Sequence, residues 1–129
     1  MNLQLPLKKQ WFEMTKSGVK TEDYRALNCY WAKRLVYNLS DVLLHTGRND
    51  INNFVNDDYA YKFLANPKNH FGFKEFTTNV MTLGYPKNND TSRIIKLQHE
   101  GIEIGFGKPE WGADPDKLYF IIKHGCIVI

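Results

Sequence analysis

Three segments of the C-terminal half constrain the fold of this chain more than any other feature. EFTTNVMTLGY (75–85), SRIIKLQHEGIEIGFG (92–107) and LYFIIK (118–123) read as strands, and the turn signals PKNND and ADPDK punctuate them. The tail GCIVI (125–129) is available to close the sheet they form. A first strand comes earlier: Leu3, Leu5 and Leu7 alternate with Gln4 and Pro6, and Pro6 marks an edge that is partly free. The period then changes. Leu7, Trp11, Met14 and Gly18 fall at spacings of four, three and four, which predicts an amphipathic helix closed by Gly18 as its C′ residue. Residues 20–26 read as extended, and a second helix is expected over about 28–38, where Tyr30, Trp31, Leu35 and Leu39 recur with Lys33 and Arg34 on another face.

Residues 40–70 are polar and rich in Asn and Asp, and they read as an inserted or extended connection. A short helix is possible where Ile51, Phe54, Val55, Tyr59 and Phe63 recur at helical spacings. Helices near the front followed by long strands indicate an α+β domain, and so many strands on 129 residues favour a curled sheet or small β-barrel in a single domain, 1–129.

Composition excludes several classes. With 43% hydrophobic and 14% aromatic residues the chain is too apolar for disorder, and no apolar run approaches the roughly 20 residues of a membrane span. Lys8 and Lys9 follow the short apolar start, the reverse of a secretory signal, so a cytoplasmic location is expected. Cys29 and Cys126 lack metal-ligand spacing and are expected to be reduced, buried thiols. His45, His70, His99 and His124 are each isolated, so neither a metal site nor a cofactor is expected.

The net charge of +3 is unevenly spread. Residues 1–39 carry seven Lys/Arg against three acids, which suits a phosphate-bearing partner. That segment also holds SGVKTEDYR (17–25), where Lys20, Glu22, Asp23 and Arg25 stand almost side by side after a helix-ending glycine. On a regular strand Lys20, Glu22 and Tyr24 would face one way and Thr21, Asp23 and Arg25 the other. Such a cluster is either a preorganised polar site or a structural salt-bridge knot at a barrel mouth.

In context, LPLKKQWFEMTKSGVKTEDYR resembles the ASCH domain of the PUA-like β-barrel superfamily, whose signature is Gly-x-Lys-x-x-Glu-x-Arg after the first helix. The matching residues are Gly18, Lys20, Asp23 and Arg25, with Asp where Glu is usual and Glu22 beside it. GIEIGFGKPEWGADPDKLYFIIKHG also looks like the closing strands of small ASCH-like proteins of bacteria and phages, while 40–70 lies outside the resemblance.

The resemblance implies binding of RNA or a modified nucleotide in a cleft beside the motif. Some small members of the family are hydrolases, either ribonucleases or amidohydrolases acting on N4-acylated cytidines. The amidohydrolases carry a threonine three residues after the lysine, where this chain has Asp23; its nearby hydroxyl is Thr21. Lys8, Trp11, Lys20, Glu22, Arg25 and Trp111 are the expected ligand contacts. Lys20 would meet a phosphate or carbonyl, Arg25 would give a bidentate contact or pair with Asp23, and Trp111 would offer a stacking face. On the hydrolase alternative Lys20 is base or electrostatic stabiliser and Asp23 the proton carrier. Trp11 and Tyr24 either line the cleft or pack in the core, and Glu103 is a distant candidate acid that otherwise belongs to a polar strand face. A third class, a phage-encoded factor that binds a host protein, would use 40–70 as its contact surface.

Overall fold

Leu3, Leu5 and Leu7 are buried and Gln4 is exposed, so the first strand, β1 (Asn2–Leu7), forms as its alternation predicts. The computed structural model describes residues 1–87 and 90–128; part of the PKNND turn, Asn88 and Asn89, and the last residue of the GCIVI tail lie outside them. After β1 come α1 (Lys9–Lys16), β2 (Glu22–Ala26), α2 (Cys29–Leu35), β3 (Val36–Tyr37), α3 (Leu39–Thr46), α4 (Arg48–Asn53), α5 (Asp57–Ala65), β4 (Gly72–Phe73), β5 (Thr78–Leu83), β6 (Ile94–Phe106) and β7 (Leu118–Ile127). The fold is α+β. Five strands make one curled sheet, a half-barrel, in the order β1-β5-β6-β7-β2.

The β1–β5 pair is parallel and the other neighbours are antiparallel. β1 is an edge strand, as Pro6 requires. The tail does not add a closing strand: it continues β7 to Ile127, beside β6 in the body of the sheet, and leaves β1 and β2 as the two edges. Curvature enters through β6, whose register slips on both sides of His99, where Gly101 takes a φ of +115°. An extra residue there bends the strand and increases its twist.

Helix α1 closes with a Schellman motif. The amide of Gly18 (φ +84°) bonds to the Thr15 carbonyl and the amide of Val19 to that of Met14, while the Lys20 amide also reaches Met14. The face α1 buries is one residue off the expected stripe: Phe12 and Thr15 are buried, whereas Trp11 and Met14 are half-buried. Thr15 is admitted to the interior because its hydroxyl donates to the Trp11 carbonyl at 2.7 Å.

Residues 40–70 depart most from expectation. They are an excursion pinned at its base by the β3–β4 pair, Val36 opposite Phe73, and they fold into most of α3, all of α4 and α5 rather than an extended connection. Polar residues serve as helix ends, Asn56 accepting from the amides of Asp58 and Tyr59. Leu43, Phe54, Ala60, Phe63 and Leu64 from this segment join the core built on Leu5, Phe12, Leu35, Met81, Phe120 and Ile122. Cys29 is buried within that core and donates to the Phe54 carbonyl, whereas Cys126 is exposed, contrary to expectation, because it lies near the end of β7, where Ile127 and Val128 are exposed as well.

Candidate functional site at the seam between the sheet edges

The two sheet edges, β1 and β2, approach each other through a side chain rather than a ladder. Arg25 on β2 donates from Nη2 to the Pro6 carbonyl on β1 at 2.8 Å. A cleft of about 240 Å³ opens over this seam. Its lining brings together Lys8, Trp11, Lys20, Asp23, Arg25 and Trp111, with Pro6, Leu7, Tyr24, Gly112 and Tyr119. Three cations against one carboxylate make the lining net positive.

Each charged group has a local reason for its position. The tight end of α1 delivers Lys20 before β2 begins, so strand alternation does not apply to it and it joins Asp23 and Arg25 instead of facing away. Only 3% of Lys20 is exposed. Its Nζ lies 3.6 Å from Asp23 Oδ1 and donates to the Glu22 carbonyl at 2.5 Å. Asp23 is equally buried, and its Oδ2 accepts from Arg25 Nε at 2.5 Å. Asp23 thus stands between two cations, and the trio keeps one positive charge. Burial pulls the Lys20 ammonium below its ordinary pKa, against the pull of Asp23, which favours the charged form.

Aromatic rings wall this charge. Lys20 Nζ is 5.5 Å from the Tyr24 ring centroid and 6.0 Å from that of Trp11, and Arg25 lies over Trp31 at 4.8 Å. Gly112, at φ +98°, abuts Trp11 so closely that a Cβ there would come within 2.8 Å of Cζ2. Lys108 Nζ sits 4.3 Å over the Trp111 ring. The Tyr24 hydroxyl donates to Glu22 Oε1 at 2.9 Å and accepts from the Lys108 amide at 3.0 Å, tying β2 to the loop that carries Trp111. Burial pushes that phenol well above its usual range, and Glu22 adds to the effect.

Two expected residues are placed elsewhere. Glu22 is outside the cleft lining, because its carboxylate is turned to Tyr24 and only its carbonyl meets Lys20. Glu103 pairs with Lys123 at 3.2 Å on the solvated side of the sheet. Tyr119 and Gly112 were not signalled as cleft residues by the sequence; the only hint was their closeness to Trp111.

Behind the cleft the inner face of the sheet carries a polar row. Asn79 Oδ1 accepts from His99 Nδ1 at 2.7 Å, while its Nδ2 donates to the Lys123 carbonyl at 3.2 Å and meets His124 Nδ1 at 2.8 Å. The Lys123 carbonyl fixes the amide orientation, so His124 Nδ1 must accept and its proton resides on Nε2. Among the described residues, His124 Nε2 is the one buried side-chain polar atom without a hydrogen-bond partner. Burial lowers the His124 pKa to about 4, with Lys20, His99 and Arg25 opposing its protonation and Asp23 favouring it.

Compared with protein-family models, curated proteins and solved structures, the chain gave no match in any of the three.

Proposed function

We propose that this chain is an ASCH-like protein that binds one nucleotide unit, free or within RNA, in the seam cleft. The observation that carries the reading is Lys20: a buried ammonium at the base of a net-positive cleft walled by Trp11, Tyr24 and Trp111. Aromatic faces suit a base and the cations suit its phosphate. The cleft volume of about 240 Å³ falls below the roughly 300–1,000 Å³ of pockets for drug-sized ligands, which limits the enclosed part to a single base or sugar. The resemblance in Gly18, Lys20, Asp23 and Arg25 supports the same reading.

A hydrolase acting on RNA or modified nucleosides is favoured by one specific observation. Lys20 has a lowered pKa and lies within 3.6 Å of Asp23, so lysine and carboxylate together can hold and pass a proton.

Both readings are tested by thermal shift and mass spectrometry on a panel of nucleoside monophosphates, N4-acetylcytidine and oligouridylate. Stabilisation by monophosphates that is lost in Lys20→Met and weakened in Trp111→Ala is the expected result. Product formed by the parent and not by Lys20→Met moves the assignment to the hydrolase. No stabilisation and no product from any member of the panel overturns both.

A further inference from the structure

We infer that helix α2 extends the cleft into a track for single-stranded nucleic acid, so that the bound nucleotide is one unit of a strand. The inference rests on the seam cleft being a nucleotide site.

Arg25, in the cleft, lies 4.8 Å over the Trp31 ring; Trp31 meets Tyr30 edge-on at 5.2 Å; and the Arg34 guanidinium lies 3.4 Å over Tyr30. Four side chains thus alternate cation, ring, ring, cation from the seam outward. The inner end of the ladder has a structural purpose, since Arg25 pairs with Asp23 and Trp31 packs on the core. The outer end stands in solvent and is held only locally, Arg34 Nη1 donating to the Tyr30 carbonyl one turn earlier at 3.2 Å. Tyr30 is 54% exposed, Arg34 is exposed, and the helix buries Cys29, Ala32 and Leu35 on its opposite side. Lys33 is exposed beside them, and residues 24–40 contain no acidic side chain at all.

A solvated helix face ordinarily interleaves both signs of charge. This one offers only cations and rings, the pairing that follows a single strand by stacking its bases and neutralising its phosphates. A duplex would hide those base faces. The charge complementarity is therefore with an unpaired polyanion, and the continuity with Arg25 sets its direction out of the cleft.

The test is fluorescence anisotropy with labelled oligouridylates of two, six and twelve nucleotides, with uridine 5′-monophosphate measured by calorimetry, on parent, Tyr30→Ala, Arg34→Ala and Lys20→Met proteins. Oligodeoxyuridylate reports whether the 2′-hydroxyl matters. Affinity is expected to rise with length, and Tyr30→Ala to weaken the twelve-mer about tenfold while leaving the monophosphate unchanged. Arg34→Ala is expected to make the salt dependence shallower by about 0.7 in log–log slope. Unchanged thermal midpoints in both variants show that an intact fold is being compared. Lys20-dependent binding of the monophosphate with no gain from length, or twelve-mer binding indifferent to Tyr30 and Arg34, overturns the track and leaves the cleft reading standing. Twelve-mer binding that needs Tyr30 and ignores Lys20→Met overturns the continuity between them. Failure of monophosphate and oligomers alike removes the cleft reading and the track with it.

Discussion

Arg25 joins the carboxylate of Asp23 on its own strand to the carbonyl of Pro6 on the opposite sheet edge. One guanidinium therefore serves the salt bridge and the seam at once, through two separate nitrogens, Nε and Nη2, a reach that a lysine with its single terminal nitrogen does not reproduce. Arg25→Ala strands the buried Asp23 with only Lys20 and removes the seam bond, so a loss of roughly 3 kcal/mol is expected in urea unfolding. Arg25→Lys should recover only a small part of it. A loss below about 0.5 kcal/mol for the alanine variant would show that the seam is held by packing alone.

Asp23 keeps Lys20 charged against burial. In Asp23→Asn that support is gone, and the Lys20 pKa is expected to fall further below 10.5 than in the parent. Titration of the Lys20 ε-carbon by NMR reads both values. A parent midpoint at or above 10.5 would mean that the pull of Asp23 outweighs the burial of Lys20, and an Asp23→Asn midpoint no lower than the parent's contradicts the pairing.

Acid sensitivity follows from His124. Its folded pKa of about 4 lies below the ordinary 6.5, so the unfolded chain takes up the proton first. Stability contributed by neutral His124 is complete above pH 6.5 and is lost as pH falls towards 4, to a total of roughly 3 kcal/mol. His99, also lowered by burial, acts in the same direction. Unfolding free energies from pH 7.5 to 4 should show this decline, and His124→Asn should flatten it. Equal slopes in parent and variant would assign the acid sensitivity elsewhere.

Gly112→Ala places a methyl group 2.8 Å from the Trp11 ring at a φ that disfavours any side chain. A cost of about 1–3 kcal/mol is expected, with a shift in tryptophan emission as Trp11 is displaced into the cleft. An unaltered spectrum and midpoint would mean that the 109–112 turn moves freely away from α1.

How far the sequence disclosed all this depended on whether a residue's neighbours in space were also its neighbours in the chain. Leu3, Leu5 and Leu7, the glycine end of α1 and the charges of 20–25 were legible because local spacing and backbone chemistry decide them. Phe12 was missed since the stripe through Trp11 and Met14 looked sufficient, and Thr15 gave no apolar signal. Strand alternation mispredicted the side of Lys20 because the Schellman turn ends only two residues before β2. Glu22 was drawn away from the cleft by its own neighbour Tyr24. The helices of 39–65 were obscured because their Asn and Asp residues, Asn56 at the start of α5 among them, make the segment look unstructured, and their apolar residues acquire meaning only against Leu35 and Phe120.

The strand order fixes when this molecule can become itself during synthesis. Asn2 lies opposite Thr78, and Asp23 lies opposite Ile122. The ribosome thus releases the cleft's charged residues long before the strands that hold them, and β1 and β2 wait with open edges until β5 and β7 emerge. The cleft residues carried by β1, α1 and β2 precede β5 and β7 in the chain, so they come together only once those later strands have left the exit tunnel, which makes their contacts non-local and the waiting edges a natural client for chaperones.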